Sequence, residues 1–264
     1  NVSPNHLDIH KDMDEYVLAK MNVFLHQNAF GKAVFNEDND ITLGFVSEAR
    51  GQALTFSRQK QVPNGAWVDD EGFIRMNDTR VMRAEDIKIP GLHNVENYMA
   101  AILAVEGLAS DEDIRYVARN FGGVEHRIGF VREKDGVKFY NDSIASSPSR
   151  TIAGLRSFSE KVILIAGGYD KHIPYDVLGP EIAAHVKLLV CTGATGPKIA
   201  AAARAVPDSP EILEIPDFYE AVHAAAQQAK PGDIVLLSPA SAAFDRFKNF
   251  MVRGAEFKKT VMAL

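Results

Sequence analysis

The second half of the chain constrains the fold most. From about residue 124 onward, short, mostly unbroken apolar runs at 162–166, 188–192, 212–215 and 233–237 alternate with segments of helical periodicity at 150–158, 173–178, 196–205, 217–229 and 244–264. Strands without polar alternation are buried on both faces, and strand–helix alternation calls for crossover connections. These residues therefore predict a parallel sheet with helices on each side. A hairpin opens this half: Asp135-Gly136 separates residues 129–133 from 137–140, and Asp-Gly is a strong signal for a two-residue turn. In open α/β sheets ligands bind at the carboxyl ends of the strands. Gly167-Gly168, Thr192-Gly193 and Ser238-Pro239 fall there.

The first half is shorter in its elements. Strands are read at 32–36 and 53–57, a turn at 36–40, and a hairpin pairing 67–68 with 73–74 around Gly72. Ile87-Lys88-Ile89-Pro90 leads into helices at 94–107 and 111–120, and Gly122-Gly123 marks a boundary between domains 1–123 and 124–264. At 264 residues and 46% apolar composition the chain can bury a substantial core. A formal charge of −6 without a Lys/Arg block argues against a nucleic-acid or anionic-membrane surface, and no apolar run is long enough to span a membrane. A single cysteine, Cys191, excludes an internal disulfide. A cytoplasmic protein is expected.

Residues 1–20 carry the densest chemistry. His6 and Asp8 follow Pro4-Asn5 in a loop; Asp12 can cap a helix with Glu15 three residues on, and Val17, Met21, Phe24 and Leu25 form its apolar stripe. Lys20 lies beside that stripe. It reads either as a surface lysine with its head in water, or as a lysine near a divalent cation whose neutral amine takes up carbon dioxide and becomes a carbamate. The residues themselves leave both open.

Asn1-Val2-Ser3-Pro4-Asn5-His6-Leu7-Asp8, Glu15 to Lys20, Gly91-Leu92-His93-Asn94-Val95-Glu96-Asn97, His126-Arg127, Asn141-Asp142-Ser143, Gly167-Gly168-Tyr169-Asp170-Lys171, Leu237-Ser238-Pro239-Ala240 and Phe244 to Phe250 stand in one order. Together they resemble the Mur ligases, ATP-dependent enzymes that add amino acids to the peptidoglycan precursor, and among them the members that add D-glutamate. The resemblance implies an α/β chain with part of a central ATPase domain followed by a Rossmann-like, doubly wound C-terminal domain. It implies His6 and Lys20 as catalytic residues holding Mg²⁺, with Lys20 carbamylated. Asn94, Asn97, Arg127 and Asp142 would contact ATP; Ser146, Lys171 and Phe250 would contact the amino acid. Small-molecule substrates are implied (UDP-N-acetylmuramoyl-L-alanine, D-glutamate and ATP), and a monomer.

Three departures from the family pattern touch the amino-acid pocket. Ile144 stands where Lys is common, Ser146 where Thr is common, and Ala243 where Ser is usual, with Ser146, Ser147 and Ser241 as possible replacements. No Gly-x-x-x-x-Gly-Lys-Ser/Thr phosphate loop occurs, so the chain is expected to be the back portion of a longer enzyme and inactive alone. The rivals are another ligase of the family with a different amino acid, and a non-catalytic nucleotide-binding module. A dinucleotide oxidoreductase is disfavoured because no Gly-x-Gly-x-x-Gly follows a strand.

Overall fold

The computed structural model describes residues 1–89 and 91–264; Pro90 lies outside the described residues. The chain divides into two compact units, Asn1–Ser3 with His10–Gly122, and Pro4–Ile9 with Gly123–Leu264.

In the first unit α1 (Met13–Leu25) begins where Asp12 accepts a hydrogen bond from the Glu15 backbone N–H at 2.9 Å. The Glu15 carboxylate turns to the N–H of Lys11 and not to that of Asp12, so the reciprocal capping box is incomplete. Phe24 and Tyr16 are buried on its inner face, and Phe24 meets Phe35 and Phe45 edge to face or tilted at centroid distances of 5.1 and 5.5 Å. A five-stranded sheet runs β1 (Lys32–Asn36), β2 (Gln52–Ser57), β3 (Gly65–Val68), β4 (Phe73–Met76), β5 (Thr79–Arg83) in spatial order. Its first three strands are parallel and the last two antiparallel. The 36–40 turn leads into a short helix, α2 (Asp40–Leu43), capped by Asn39, and β5 also escaped the sequence reading. Both are four- or five-residue elements too short for periodicity to declare. Helices α3 (Leu92–Ala104) and α4 (Asp111–Asn120) complete the unit; α4 starts on a full capping box between Ser110 and Asp113.

The second unit is a six-stranded sheet in the order β10-β9-β8-β11-β7-β6, with β6 (Gly129–Lys134), β7 (Val137–Asn141), β8 (Val162–Gly167), β9 (Val186–Thr192), β10 (Glu211–Glu214) and β11 (Ile234–Leu237). Only β6 is antiparallel, turned back by Asp135 and Gly136, whose φ of 52° and 77° are the left-handed values a tight hairpin requires. Strand β8 shows why its run is unbroken: Val162, Leu164 and Ala166 enter one core with α5 (Pro148–Leu155), α6 (Leu178–His185) and α7 (Gly196–Arg204). Ile163 and Ile165 enter the opposite core with α8 (Phe218–Gln228) and α9 (Phe250–Ala263). The order reverses between β8 and β11, where a doubly wound sheet opens a crevice.

Two helices differ from expectation. Residues 173–177 are not helical; α6 starts only at Leu178, because Pro174 disfavours helical backbone at Ile173, while Ile173 and Tyr175 are buried as core plugs. The last helix begins at Phe250 and not at 244, since the Asn249 side chain caps the N–H of Val252 at 3.0 Å and residues 244–249 form turns above the sheet.

Helix α9 approaches the loop before β6 so closely that a Cβ on Gly254 would lie 2.2 Å from His126 Nδ1. His126 cannot move away, since Asn141 Nδ2 bonds both its Nδ1 (3.1 Å) and the Gly254 carbonyl (3.0 Å). Gly254→Ala should lower stability by about 2 kcal/mol or more despite alanine's better helix propensity, as forced overpacking does. Thermal unfolding checks this, and an unchanged melting temperature would contradict it.

Candidate functional site

The loops leaving β7, β8 and β11 are tied together at the switch point. Gly167 N–H donates to Pro239 O at 2.8 Å, Tyr169 N–H to Ala242 O at 2.9 Å, and Asp142 N–H to Leu237 O at 2.8 Å. Beneath them lies Arg253, 2% exposed on α9. Its guanidinium donates to Ser143 Oγ (3.0 Å), Ser143 O (2.8 Å), Ala242 O (2.9 Å) and Ser241 O (3.0 Å). Burial lowers its pKa to about 10, with Asp245 and Asp142 acting in the opposite sense, so it remains a cation at neutral pH. The sequence reading missed Arg253: an arginine on an amphipathic helix reads as surface, and nothing in its neighbours signals that the carbonyls of two distant loops converge on it.

Lys171, in the loop after β8, is 4% exposed. Its ammonium donates to Asn5 Oδ1 at 3.0 Å and to Ser146 O at 3.2 Å, leaving one of three N–H bonds for a ligand. Burial lowers its pKa while the Asp8 carboxylate raises it. Asp8 contributes through space, since its Oδ1 is buried without a hydrogen-bond partner. Ser146 is half-buried and its hydroxyl makes no hydrogen bond among the described residues, so Lys171 and Ser146 stand together with a free donor each. Of the other two candidate serines, Ser147 pairs with Ser149 at 3.3 Å, and Ser241 is enclosed between Tyr175 (3.0 Å) and Thr195 (2.7 Å). Phe250 opens α9; its carbonyl accepts from Ser143 Oγ at 2.8 Å and its ring lies 6.2 Å from that of His126. A cleft of about 280 Å³ opens over the ends of β8 and β9, lined by Gly168, Gly193, Asp245, Arg246 and Arg253 among others, with Lys171, Ser146 and Phe250 outside its lining.

Asp142 is buried at the end of β7 and receives the Ser238 hydroxyl at 2.7 Å. Burial raises its pKa to about 7, opposed by Ser238, the Ile128 N–H, Arg127 and Arg150. Arg127 stands exposed above it. In the first unit Asn94 is buried in the opening turn of α3 and accepts from the amide of exposed Asn97 at 3.2 Å.

The metal reading fares differently. His6 is exposed in a left-handed conformation (φ 56°) within Pro4–Ile9 of the second unit, whereas Lys20 belongs to α1 of the first. Lys20 is exposed and its ammonium rests 5.2 Å over the Tyr16 ring, a contact that a cation makes and a carbamate gives up. Among the described residues no group of three or more His, Cys, Asp or Glu could hold a metal ion. Within its own unit Lys20 has the surroundings of a surface lysine.

Comparison with known proteins identifies the class. Residues 1–105 match the Mur ligase middle domain and residues 126–241 the Mur ligase glutamate ligase domain; the chain belongs to the Mur ligase family. Within it, the chain is 54% identical over 273 residues to the UDP-N-acetylmuramoylalanine–D-glutamate ligase of Acetivibrio thermocellus, covering 100% of this chain and 59% of that protein. It is 49% identical over 272 residues to the enzyme of the same name from Clostridium beijerinckii, covering 100% and 58%. The chain thus spans a little under three fifths of the length of these relatives. Among solved structures, the MurF ligase of Thermotoga maritima in complex with ADP superposes with a TM-score of 0.72 at 20% identity, covering 100% of this chain and 61% of that one. A pseudomurein peptide ligase type C from Methanothermus fervidus does so at 0.73 and 14%, covering 100% and 62%. These two show a shared fold.

Two variants probe this site. The folded carboxyl of Asp142 holds its proton up to about pH 7, whereas an unfolded aspartate releases it near pH 4. Stability from this group is therefore present at low pH and lost as pH rises through about 7. Asp142→Asn should match the wild type near pH 5 and exceed it by at least about 1 kcal/mol near pH 8 in denaturant titrations. An equal offset at both values would contradict the assignment. Arg253→Lys should cost about 3 kcal/mol, because an ammonium cannot serve a hydroxyl and three carbonyls spread around a planar fork; a melting temperature within a degree of wild type would show otherwise.

Proposed function

We propose that the chain contributes the nucleotide and amino-acid residues of an ATP-dependent, ADP-forming ligase that joins D-glutamate to UDP-N-acetylmuramoyl-L-alanine in cell-wall synthesis, as a cytoplasmic monomer. The supporting observation is the pairing of buried Lys171 with Ser146 at the carboxyl ends of the strands, each with a free donor. A buried cation with an unused N–H suits a carboxylate, and the amino acid brings one. No helix among the described residues is long and apolar enough to cross a membrane.

In the reaction the carboxylate of the precursor attacks the γ-phosphorus of ATP, ADP departs, and an acyl phosphate forms. The amine of D-glutamate then attacks the acyl carbon and phosphate leaves, the amine's proton going to solvent or to a base. Positioning and charge neutralisation supply most of the acceleration in such transfers. Lys171 and Ser146 hold the incoming carboxylate, and the Phe250 ring closes the pocket. Asn97, oriented by Asn94, is assigned to the adenine, Arg127 to phosphate, and Asp142 to the ribose. The family uses ATP with Mg²⁺, which neutralises phosphate charge when bound.

In the enzyme carrying these two domains, Lys171→Ala should raise the KM for D-glutamate by roughly tenfold to a hundredfold, the scale of one charge-assisted hydrogen bond. The KM for ATP should move far less. Phosphate release dependent on D-glutamate measures this, and an unchanged KM for D-glutamate removes Lys171 from the pocket. A panel of other amino acids decides specificity: one that supports faster release than D-glutamate would assign the chain to another ligase of the family.

A further inference from the structure

A second cleft, of about 300 Å³, lies in the first unit between β4–β5 and α4, and its lining includes four arginines, Arg80, Arg83, Arg115 and Arg119. Among the lining residues one is a carboxylate, Asp86, while Asp69, Glu71 and Glu85, which pair with two of the arginines, lie outside the lining. We infer that this cleft binds a compact polyphosphate anion, the diphosphate or triphosphate group of a soluble phosphate ester or of a phosphorylated lipid headgroup. None of its lining residues is among those assigned above to nucleotide or amino acid.

The four guanidinium groups are held to different degrees. Arg80 pairs with Asp69 at 3.2 Å and with Glu71, and Arg119 with Asp86 at 3.0 Å. Arg83 pairs with Glu85 at 3.4 Å and acts on Glu71 through space; Glu85 is 75% exposed, so water screens that pair and a ligand can replace it. Arg115 is half-buried and tied to the Val81 carbonyl at 2.7 Å, with no ion pair among the described residues. Its fork is thus oriented while its charge is uncompensated. Arg80 and Arg83 each place the guanidinium carbon 4.4 Å from the centroid of the Phe73 ring, which holds both forks in place at the cleft.

The chemistry narrows the ligand. Guanidinium forks match phosphate oxygens two at a time, and the buried apolar floor of Val81 and Met82 keeps the local dielectric low. The volume stands at the small end of ligand sites. Phe73, the one aromatic ring in the lining, is already taken by two arginines, leaving no face for a base or sugar to stack on. A phosphate cluster fits where a nucleoside does not.

Calorimetry of the 264-residue chain with pyrophosphate and with tripolyphosphate tests this, alongside flotation with phosphatidylcholine vesicles with and without phosphatidic acid. The expected result is one pyrophosphate site, weakened at least about tenfold in Arg115→Ala, the scale of one charge-assisted contact. Because Arg115 also braces β5, the double variant Arg83→Gln with Arg119→Gln, both at exposed positions, should weaken it similarly while unfolding at the wild-type temperature. Vesicle binding that pyrophosphate displaces would identify a lipid source; pyrophosphate binding without vesicle binding would identify a soluble one. The inference is overturned if pyrophosphate does not bind, if it binds the double variant and Arg115→Ala as tightly as wild type, if Arg127→Ala abolishes it instead, or if vesicles bind and pyrophosphate does not compete.

Discussion

One buried guanidinium decides where the loops over the second sheet can lie. Removing an arginine from water costs several kcal/mol unless its donors are satisfied, and Arg253 meets that demand with one hydroxyl and three backbone carbonyls, not with a carboxylate. Those acceptors belong to the loop after β7 and the loop after β11, so both loops are drawn to a single point on α9. Gly168 has to be glycine for the same reason, as a Cβ there would meet Ala242 O at 2.3 Å and Arg253 Nη1 at 3.0 Å. The arrangement is neutral in neither direction: remove the cation and three carbonyls face one another; remove a loop and a charge is left buried.

Around this fixed point burial acts oppositely on two ionisable groups. It lowers the pKa of Lys171 and raises that of Asp142, in each case favouring the uncharged form. What restrains the shift is local: the Asp8 carboxylate for the lysine, and for the aspartate the Ser238 hydroxyl, a backbone N–H and two arginines. An ionised Lys171, with Asp8, Arg150 and Arg253 acting on it through space, can attract a carboxylate. Asp142 near neutrality can either accept or donate a hydrogen bond.

The departures from the family pattern acquire physical content here. Ala243 is 2% exposed, so this position offers no hydroxyl to a ligand, and Ser241 cannot stand in because Tyr175 and Thr195 already enclose it. Ile144 brings no charge; its carbonyl instead receives Arg150 at 3.2 Å. Of the three serines, Ser146 keeps a hydroxyl with no hydrogen bond among the described residues, and its carbonyl accepts from Lys171 at 3.2 Å.

The alternating runs determined the second unit's strands and most of its helices by themselves, because a buried β8 has to be apolar on both faces and a hairpin at Asp135-Gly136 has few other conformations. Asp12 declared a helix start in the same local way. Two helix starts differed from the periodicity for reasons next to them in the chain: Pro174, with Ile173 and Tyr175 buried, moved α6, and the Asn249 cap moved α9. At the site, the motifs singled out Lys171 and Ser146, but a motif cannot state that one N–H and one hydroxyl remain free. Nor could the pattern around Lys20 tell the edge of a buried stripe from solvent, which is where the lysine lies. Arg253 and the four-arginine cleft were invisible to sequence alone. A charged residue on a helix has the same letter whether water or the carbonyls of two remote loops surround it, and only tertiary packing decides which.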